Sequence, residues 1–253
     1  MAGHSKWANI KRQKARVDAV KGKIFAKLSR EIIVAARTGG ADAEGNFQLR
    51  TAIDKAKVAG FPNENIERAI AKGAGALAGD SDNLESIRYE GYGPGGVAVL
   101  IEALTDNRNR TAADLRAAFS KNGGNLGETG CVGWMFEQKG EVWLRGPLNE
   151  EDLLETCLEG GAETYRLTEV DETAGAEVLC DPAALESLSQ TLQQHYPVFE
   201  VELRWMPQNT VEVSDLDQVR SLLKMMDALE DLDDVQSVTA NFEIADDLIA
   251  SIA

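Results

Sequence analysis

Nine basic side chains lie within the first thirty residues, with one tryptophan among them. They are Lys6, Lys11, Arg12, Lys14, Arg16, Lys21, Lys23, Lys27 and Arg30. Cations gathered in this way bind phosphates, and the Trp7 indole can stack on a base or anchor the segment. A solvated helix face, or a basic arm folded onto acidic parts of the same chain, would produce the same pattern. We favour polyanion contact, and the internal contact stays open as the alternative.

The distribution of charge along the chain supports polyanion binding. The 253 residues carry a formal net charge of −16, which in a uniform chain argues against a nucleic-acid partner. Residues 1–80, however, contain fifteen basic and eight acidic residues, whereas 81–253 contain eleven and thirty-four. This asymmetry predicts a polyanion-binding end on an otherwise acidic protein.

A second, smaller group of cations is formed by Arg108 and Arg110 in the segment Thr105–Thr111, which joins a predicted strand to a predicted helix. Two arginines at a helix start can hold phosphate oxygens. A capped turn with exposed charges explains the same residues equally well. We include both arginines as candidate nucleic-acid contacts.

Patterns typical of catalysis, metal binding or cofactor binding are weak. The three cysteines are far apart with no CxxC pair, which predicts neither a disulfide framework nor a zinc site. His4 and His195 have no recognisable nucleophile or metal-binding partners. The glycine-rich run Gly91–Gly96 precedes a predicted strand, whereas a dinucleotide loop precedes a helix. We therefore predict a hairpin turn there, no cofactor, no metal, no small-molecule substrate and no enzymatic activity.

The sequence also bears on membranes and compartment. It has no run of about 18 apolar residues, and no apolar segment follows the basic N-terminal residues. These patterns predict a cytoplasmic protein with no membrane partner.

Helices are predicted to position the N-terminal cations. One should run from about Asp18 to Arg37, followed by a helix over about 45–59 and a third after Pro62, with Asn63 as its N-cap and Gly73 as its C-terminal stop. On a helical wheel of the first, an apolar arc packs inward. That arc comprises Val20, Ile24, Phe25, Leu28, Ile32 and Ala36. Lys23, Lys27, Arg30 and Arg37 lie opposite, so they should face solvent.

The rest of the chain alternates short strands with helices. The predicted order is ββα, then ββαββαβ, then an extended segment followed by αβ, with one hairpin around Lys139-Gly140. We predict an α+β multidomain fold in which the last domain is inserted in the middle one. The expected domains are a basic helical domain over 1–78, an α+β domain over 79–130 plus 207–253, and an inserted α+β domain over 131–206.

Several separated motifs resemble the YebC/PmpR family. They are Gly3-His4-Ser5-Lys6-Trp7 with Ile10-Lys11 and Lys21-Gly22-Lys23, Phe61-Pro62-Asn63, the segment Tyr89–Gly96, the segment Thr105–Thr111, and Gly130-Cys131-Val132-Gly133-Trp134. The resemblance covers essentially the whole chain. It implies an N-terminal helical domain and two α+β domains, the last inserted within the middle one.

The resemblance also implies a function. Members of the family are described as transcriptional regulators, with DNA binding reported for some, so we expect a non-enzymatic, DNA-binding regulator of gene expression. Its organellar relatives resemble translational activators, and other members are linked to the ribosome. The alternative is therefore an RNA- or ribosome-associated translation factor that relieves stalled elongation or activates translation.

Overall fold

The computed structural model of the chain describes residues 21–75, 84–170 and 173–245. Within these ranges the helices are α1 Lys21–Gly39, α2 Phe47–Val58, α3 Asn63–Gly73, α4 Arg108–Lys121, α5 Glu150–Gly160, α6 Leu185–His195 and α7 Leu216–Glu230. The strands are β1 Glu85–Tyr92, β2 Ala98–Thr105, β3 Asn125–Leu126, β4 Phe136–Arg145, β5 Ala162–Val170, β6 Thr173–Cys180, β7 Val198–Pro207, β8 Val211–Glu212, β9 Val235–Ala240 and β10 Phe242–Glu243. The predicted α+β fold, with helices first and sheets after them, is confirmed.

The three N-terminal helices share one hydrophobic core. Leu28, Ile32 and Ala36 of α1 are buried against α2 and α3, as the helical wheel predicts. Asn46 joins two of the helices: its Oδ1 accepts from the Leu49 N–H at the start of α2, and its Nδ2 donates to the Ala35 carbonyl of α1. The Asn46 amide therefore caps α2 and at the same time holds α2 against α1.

A glycine sets the distance between α1 and α3. A Cβ at Gly73 would lie 2.4 Å from the Ile33 carbonyl oxygen and 2.8 Å from the Ala36 Cβ. Only a residue without a side chain lets the two backbones approach this closely.

The first sheet has the order β3-β1-β2-β9, and all its neighbours are antiparallel. The predicted hairpin turn at Gly91–Gly96 joins β1 to β2, with Gly95 and Gly96 at positive φ. Helices α4 and α7 supply core residues that pack with those of the sheet, including Phe119 and Met225. Since β9 and α7 follow the 137–206 segment in sequence, the C-terminal part of the chain completes the sheet that β1 and β2 begin.

The chain divides into two compact units: Met1–Phe136 with Pro207–Ala253, and Glu137–Met206. The second unit is thus inserted into the first, and its four-stranded sheet has the order β5-β6-β4-β7. The finer boundaries predicted at residues 78, 130 and 206 stay a prediction. In the part of the chain that the structure describes, no helix combines the length and apolarity needed to cross a bilayer.

The predicted hairpin at Lys139-Gly140 is wrong. Strand β4 runs without interruption through both residues, and Gly140 pairs with Cys180 of β6. A Cβ at Gly140 would lie 2.7 Å from the Cys180 Sγ and 2.9 Å from the Leu185 Cβ. The glycine therefore permits close packing inside a strand, whereas the sequence pattern predicts a turn.

The inserted unit is acidic, with sixteen acidic and four basic residues over 137–206. Each of the four cations has a partner within the unit. Lys139 lies 2.8 Å from Glu163, Arg166 lies 2.6 Å from Glu177, Arg204 lies 3.2 Å from Glu141, and Arg145 stacks over the Phe199 ring. The unit therefore presents an excess of negative charge.

The close approach at Gly73 predicts opposite signs for two glycine-to-alanine substitutions. Gly73→Ala should destabilise the protein by about 1–3 kcal/mol, because the new methyl group overlaps the Ile33 carbonyl. Gly22→Ala in α1 meets nothing within 4 Å, so helix propensity should make it neutral or stabilising by up to about 1 kcal/mol. Urea denaturation of both variants measures the difference. Equal midpoints would contradict the packing argument.

Candidate nucleic-acid interface

Lys23 and Lys27 of α1 contact the turn that joins α7 to β9. The Lys23 Nζ lies 3.5 Å from the Asp231 Oδ1 and donates to the Asp231 carbonyl at 3.3 Å. The Lys27 Nζ donates to the Glu230 carbonyl at 2.7 Å. We call residues Glu230–Asp234 the acidic turn. These two lysines thus meet oxygen atoms of their own chain, an arrangement that the sequence leaves open.

Arg30, one turn further along α1, contacts the end of the acidic turn. Its Nη1 donates to the Asp233 carbonyl, and its Nη2 lies 3.6 Å from the Asp234 Oδ1. The Lys23 side chain is half exposed and that of Arg30 is one-quarter exposed. The prediction that this face of α1 points to solvent therefore holds for Lys23 but is wrong for Lys27 and Arg30, which are partly buried because the acidic turn covers them.

Asp234 is the most highly connected carboxylate of this region. Its Oδ2 accepts from the Arg110 Nη2 at 2.8 Å, the Thr111 Oγ1 at 2.8 Å and the Thr105 Oγ1 at 3.2 Å. Burial alone would raise the pKa of Asp234, but the hydrogen bonds from Arg110 and Thr111 and the charge of Arg30 bring it below its usual value. Asp234 is therefore held as a carboxylate.

Local structure places Arg110 beside this carboxylate. Helix α4 begins at Arg108, inside the segment Thr105–Thr111 that is predicted to join a strand to a helix, and the Asn107 Oδ1 caps it by accepting from the Arg110 N–H at 3.1 Å. Both arginines therefore lie in the first helical turn. Arg110 also pairs with Asp106 at 2.8 Å. The Arg108 carbonyl accepts from the Tyr89 hydroxyl at 3.2 Å.

A polar cavity of about 560 Å³ lies at this junction. Its charged lining residues include Lys23, Arg30, Arg110, Asp106, Asp231 and Asp233. Cations from two segments about eighty residues apart in sequence thus share one cavity with acidic neighbours. In the described ranges no group of three or more His, Cys, Asp or Glu side chains is arranged to hold a metal ion.

The remaining predicted contacts are distributed as follows. Lys6, Trp7, Lys11, Arg12, Lys14 and Arg16 lie outside the described residues. Lys21 is the first residue of α1. The structure thus brings together Lys23, Lys27 and Arg30, and it places Arg110 beside Arg30 through their common partner Asp234.

Sequence reasoning did not find the role of Glu90. This buried carboxylate accepts from the backbone N–H groups of Gly130, Val132 and Gly133 at 2.6–2.8 Å. Burial raises its pKa, but the three N–H donors outweigh burial and lower it. The clamp fixes the loop that precedes Trp134, whose side chain is exposed. A single glutamate between two strand tyrosines carries no sequence signal for a partner forty residues away.

The structure as described defines a multidomain α+β protein with a basic helix covered by an acidic turn. A family model for the TACO1/YebC N-terminal domain matches residues 5–76, and one for the TACO1/YebC second and third domain matches residues 84–242. Together they cover most of the chain. The chain belongs to the TACO1/YebC family.

Individual relatives are similar over nearly their whole length. A "probable transcriptional regulatory protein" of Gloeothece citriformis is 71% identical over 251 residues, 99% of this chain and 98% of that protein. One with the same descriptive name from Nostoc sp. is 69% identical over 251 residues, again 99% and 98%. A crystal structure of a conserved hypothetical protein from Aquifex aeolicus has 46% identity and a TM-score of 0.81, and the match covers 92% of this chain and 94% of that one.

The Asp234 network predicts a pH-dependent loss of stability. Asp234→Asn should destabilise the protein by roughly 2–3 kcal/mol at pH 7, because the charged acceptor of three hydrogen bonds is lost. A carboxylate whose pKa is lower in the folded protein than its ordinary value, here 3.8, stabilises the fold at pH values above that ordinary pKa. This stabilisation is lost as the pH falls through the lower folded-state pKa. The gap between wild type and variant should therefore shrink below pH 4.

Urea denaturation from pH 7 to pH 2 measures this gap. Asp114→Asn is the matched control, since Asp114 is exposed and lines the same cavity; it should change stability by less than about 0.5 kcal/mol. A constant gap across the whole pH range would contradict the assignment.

The Glu90 clamp predicts a change in the reactivity of Cys131. Glu90→Gln should loosen the 130–133 loop and remove a negative charge that, after burial, raises the pKa of the Cys131 thiol. Thiol modification of Cys131 should therefore become faster, while the buried Cys157 and Cys180 stay slow. Glu85→Gln, at an exposed position of the same strand, should leave the rate unchanged. An equal rate in Glu90→Gln would contradict the clamp.

Proposed function

We propose that the chain is a non-enzymatic regulator of gene expression that binds nucleic acid mainly through its basic N-terminal helical region. The observation that carries this proposal is the concentration of nine basic residues and one acidic residue in 1–30 of a chain with net charge −16. Backbone phosphates supply most of the affinity of proteins for nucleic acid, and lysine and arginine are the residues that contact them.

The geometry of α1 supports this assignment. Lys23, Lys27 and Arg30 are spaced four and three residues apart, so they form a row about 10 Å long on one helix face. The buried side of the same helix is apolar, so the row can contact a partner without disturbing the core. Arg110 of α4 shares the partner Asp234 with Arg30, and we include it and the exposed Arg108 as further phosphate contacts. The acidic inserted unit would repel phosphates and confine the bound polymer to the basic end.

The relatives' names favour DNA as the polymer and transcription as the regulated process. One observation favours the second candidate, an RNA- or ribosome-associated translation factor. The short connection between α2 and α3 gives them the order of a helix-turn-helix, yet the exposed side of α3 carries Glu64 and Glu67, and its Arg68 is paired with Glu64. Such a face is poorly suited to the major groove, so binding through backbone phosphates is the common element of both candidates.

The non-enzymatic part of the proposal rests on how the carboxylates are used. Asp234 and Glu90, both buried, each accept three hydrogen bonds from the chain itself. A general base instead needs an accessible lone pair near a substrate proton. These groups are therefore structural.

The electrostatic account predicts a steep salt dependence. If about six phosphates are neutralised on duplex DNA, the logarithm of affinity should fall with the logarithm of salt concentration at a slope near −5. Fluorescence anisotropy with the intact chain and a labelled duplex measures the slope, and a labelled single-stranded RNA gives the comparison. A flat response with both polymers would overturn the proposal.

Neutralising the row on α1 tests which residues are involved. The triple variant Lys23→Gln, Lys27→Gln, Arg30→Gln should bind more weakly, and its salt slope should become shallower by roughly 2 to 3. The matched control is Lys57→Gln, Arg68→Gln, Lys121→Gln, which removes the same charge from exposed positions of α2, α3 and α4. Circular dichroism checks that both variants are folded. Equal affinity of the two variants would exclude the α1 row as the contact.

Crosslinking in cells, followed by sequencing of the bound nucleic acid, separates the two candidates. Enrichment of promoter DNA supports the transcriptional regulator, whereas enrichment of messenger or ribosomal RNA supports the translation factor.

A further inference from the structure

The acidic turn occupies the same donors that the proposed function assigns to phosphates. Lys23 and Arg30 each contact one backbone carbonyl and one carboxylate of the turn, and Lys27 contacts a carbonyl. Carbonyl and carboxylate oxygens accept from ammonium and guanidinium groups as phosphate oxygens do. The turn thus supplies acceptor oxygens to Lys23, Lys27 and Arg30 from within the same chain.

The part of this contact that Lys23 makes is of a kind that a polyanion can displace, whereas the Arg30–Asp234 pair is more buried, with 25% and 9% of its side chains exposed. The hydrophobic core of the N-terminal helices and that of the first sheet are separate clusters, and the contacts between α1 and the turn given above are polar. The Asp231 side chain is 75% exposed and that of Lys23 is 50% exposed. Exposed ion pairs contribute little to stability and are screened by salt.

The turn itself is held in place, so it cannot follow the cations when they move. The Asp234 carbonyl accepts from the Leu104 N–H of β2 at 2.8 Å, and Leu232 packs against the core of the first sheet. The Asp234 side chain is fixed by Arg110, Thr111 and Thr105. The exposed residues Asp231 and Asp233 are therefore presented from a rigid base, and what can separate is α1 from the turn.

We propose that the acidic turn is a built-in competitor for nucleic acid: it holds Lys23, Lys27 and Arg30 in the free protein, and a polyphosphate chain binds this row by displacing it. The inference rests on the proposed function and adds regulation of the same site. An isolated anion meets a covered row, whereas a polymer with many adjacent charges replaces several contacts at once. The competitor thereby selects long polyanions over small phosphates.

The test removes the two exposed aspartate charges of the turn, those of Asp231 and Asp233, and leaves the cations intact. In Asp231→Asn, Asp233→Asn the anchoring Asp234 is retained, and both substituted positions are exposed, so folding should be preserved. Affinity for a labelled 20-mer duplex or single-stranded RNA should rise roughly threefold to tenfold at low salt, because the competitor is weakened. The gain should shrink at high salt, where the internal contact is already screened.

The matched control is Glu151→Gln, Glu155→Gln. It makes the same change in net charge at two exposed positions of α5. A general reduction of repulsion would raise the affinity of both variants equally, whereas a local competitor raises it only in the turn variant. Equal affinities of the two variants overturn the proposal.

A double-mutant cycle tests the direct pairing. If Asp231 competes for Lys23, Asp231→Asn should increase affinity in the wild-type background and have a smaller effect in Lys23→Gln. Equal effects in both backgrounds overturn the pairing.

The result also separates this inference from the proposed function. If the α1 triple variant binds more weakly than wild type but the turn variant matches its control, the proposed function stands and the competitor is wrong. If wild type, turn variant and triple variant all fail to bind, both are wrong. If the turn variant binds and neither wild type nor the triple variant does, the result supports both the proposed function and the competitor.

Discussion

The carboxylate of Asp234 is the interaction on which the junction of helices and sheet depends. A buried carboxylate is costly unless several donors meet it, and here the donors come from the end of β2, the first turn of α4 and the polar face of α1. Arg110, Thr111 and Thr105 hold one oxygen, and Arg30 faces the other. This one charge therefore links the end of β2, the first turn of α4 and α1 to the last residue before β9.

The junction explains how a chain with strongly separated charges can keep a basic helix beside acidic groups. Along the sequence, positive charge is concentrated at one end and negative charge elsewhere. In the fold, a short acidic turn lies against three cations of α1, while the inserted unit pairs its own few cations internally. Attraction between the acidic turn and the cations of α1 thus holds the two segments together, and the same attraction competes with any external polyanion.

Local patterns account for what was correctly predicted about the fold. The apolar side of α1 and the hairpin at Gly91–Gly96 follow from helical periodicity and turn chemistry, which need only neighbours in sequence. The failure at Lys139-Gly140 has the opposite origin. Gly140 packs against Cys180 and Leu185, so a glycine is required there by a close contact with residues at least forty positions away. In the local sequence it cannot be told from a turn glycine.

The sequence by itself determined the element types, the α+β class, the family resemblance and the existence of a basic face on α1, because each of these is encoded by short-range spacing or by motifs. Only the tertiary structure decided what that face touches. Lys23 meets Asp231 across 208 positions, and Lys27 meets Glu230 across 203. Charge acts through space, whereas a sequence records only order along the chain, so the partner of a cation emerges only when the fold has brought distant segments together.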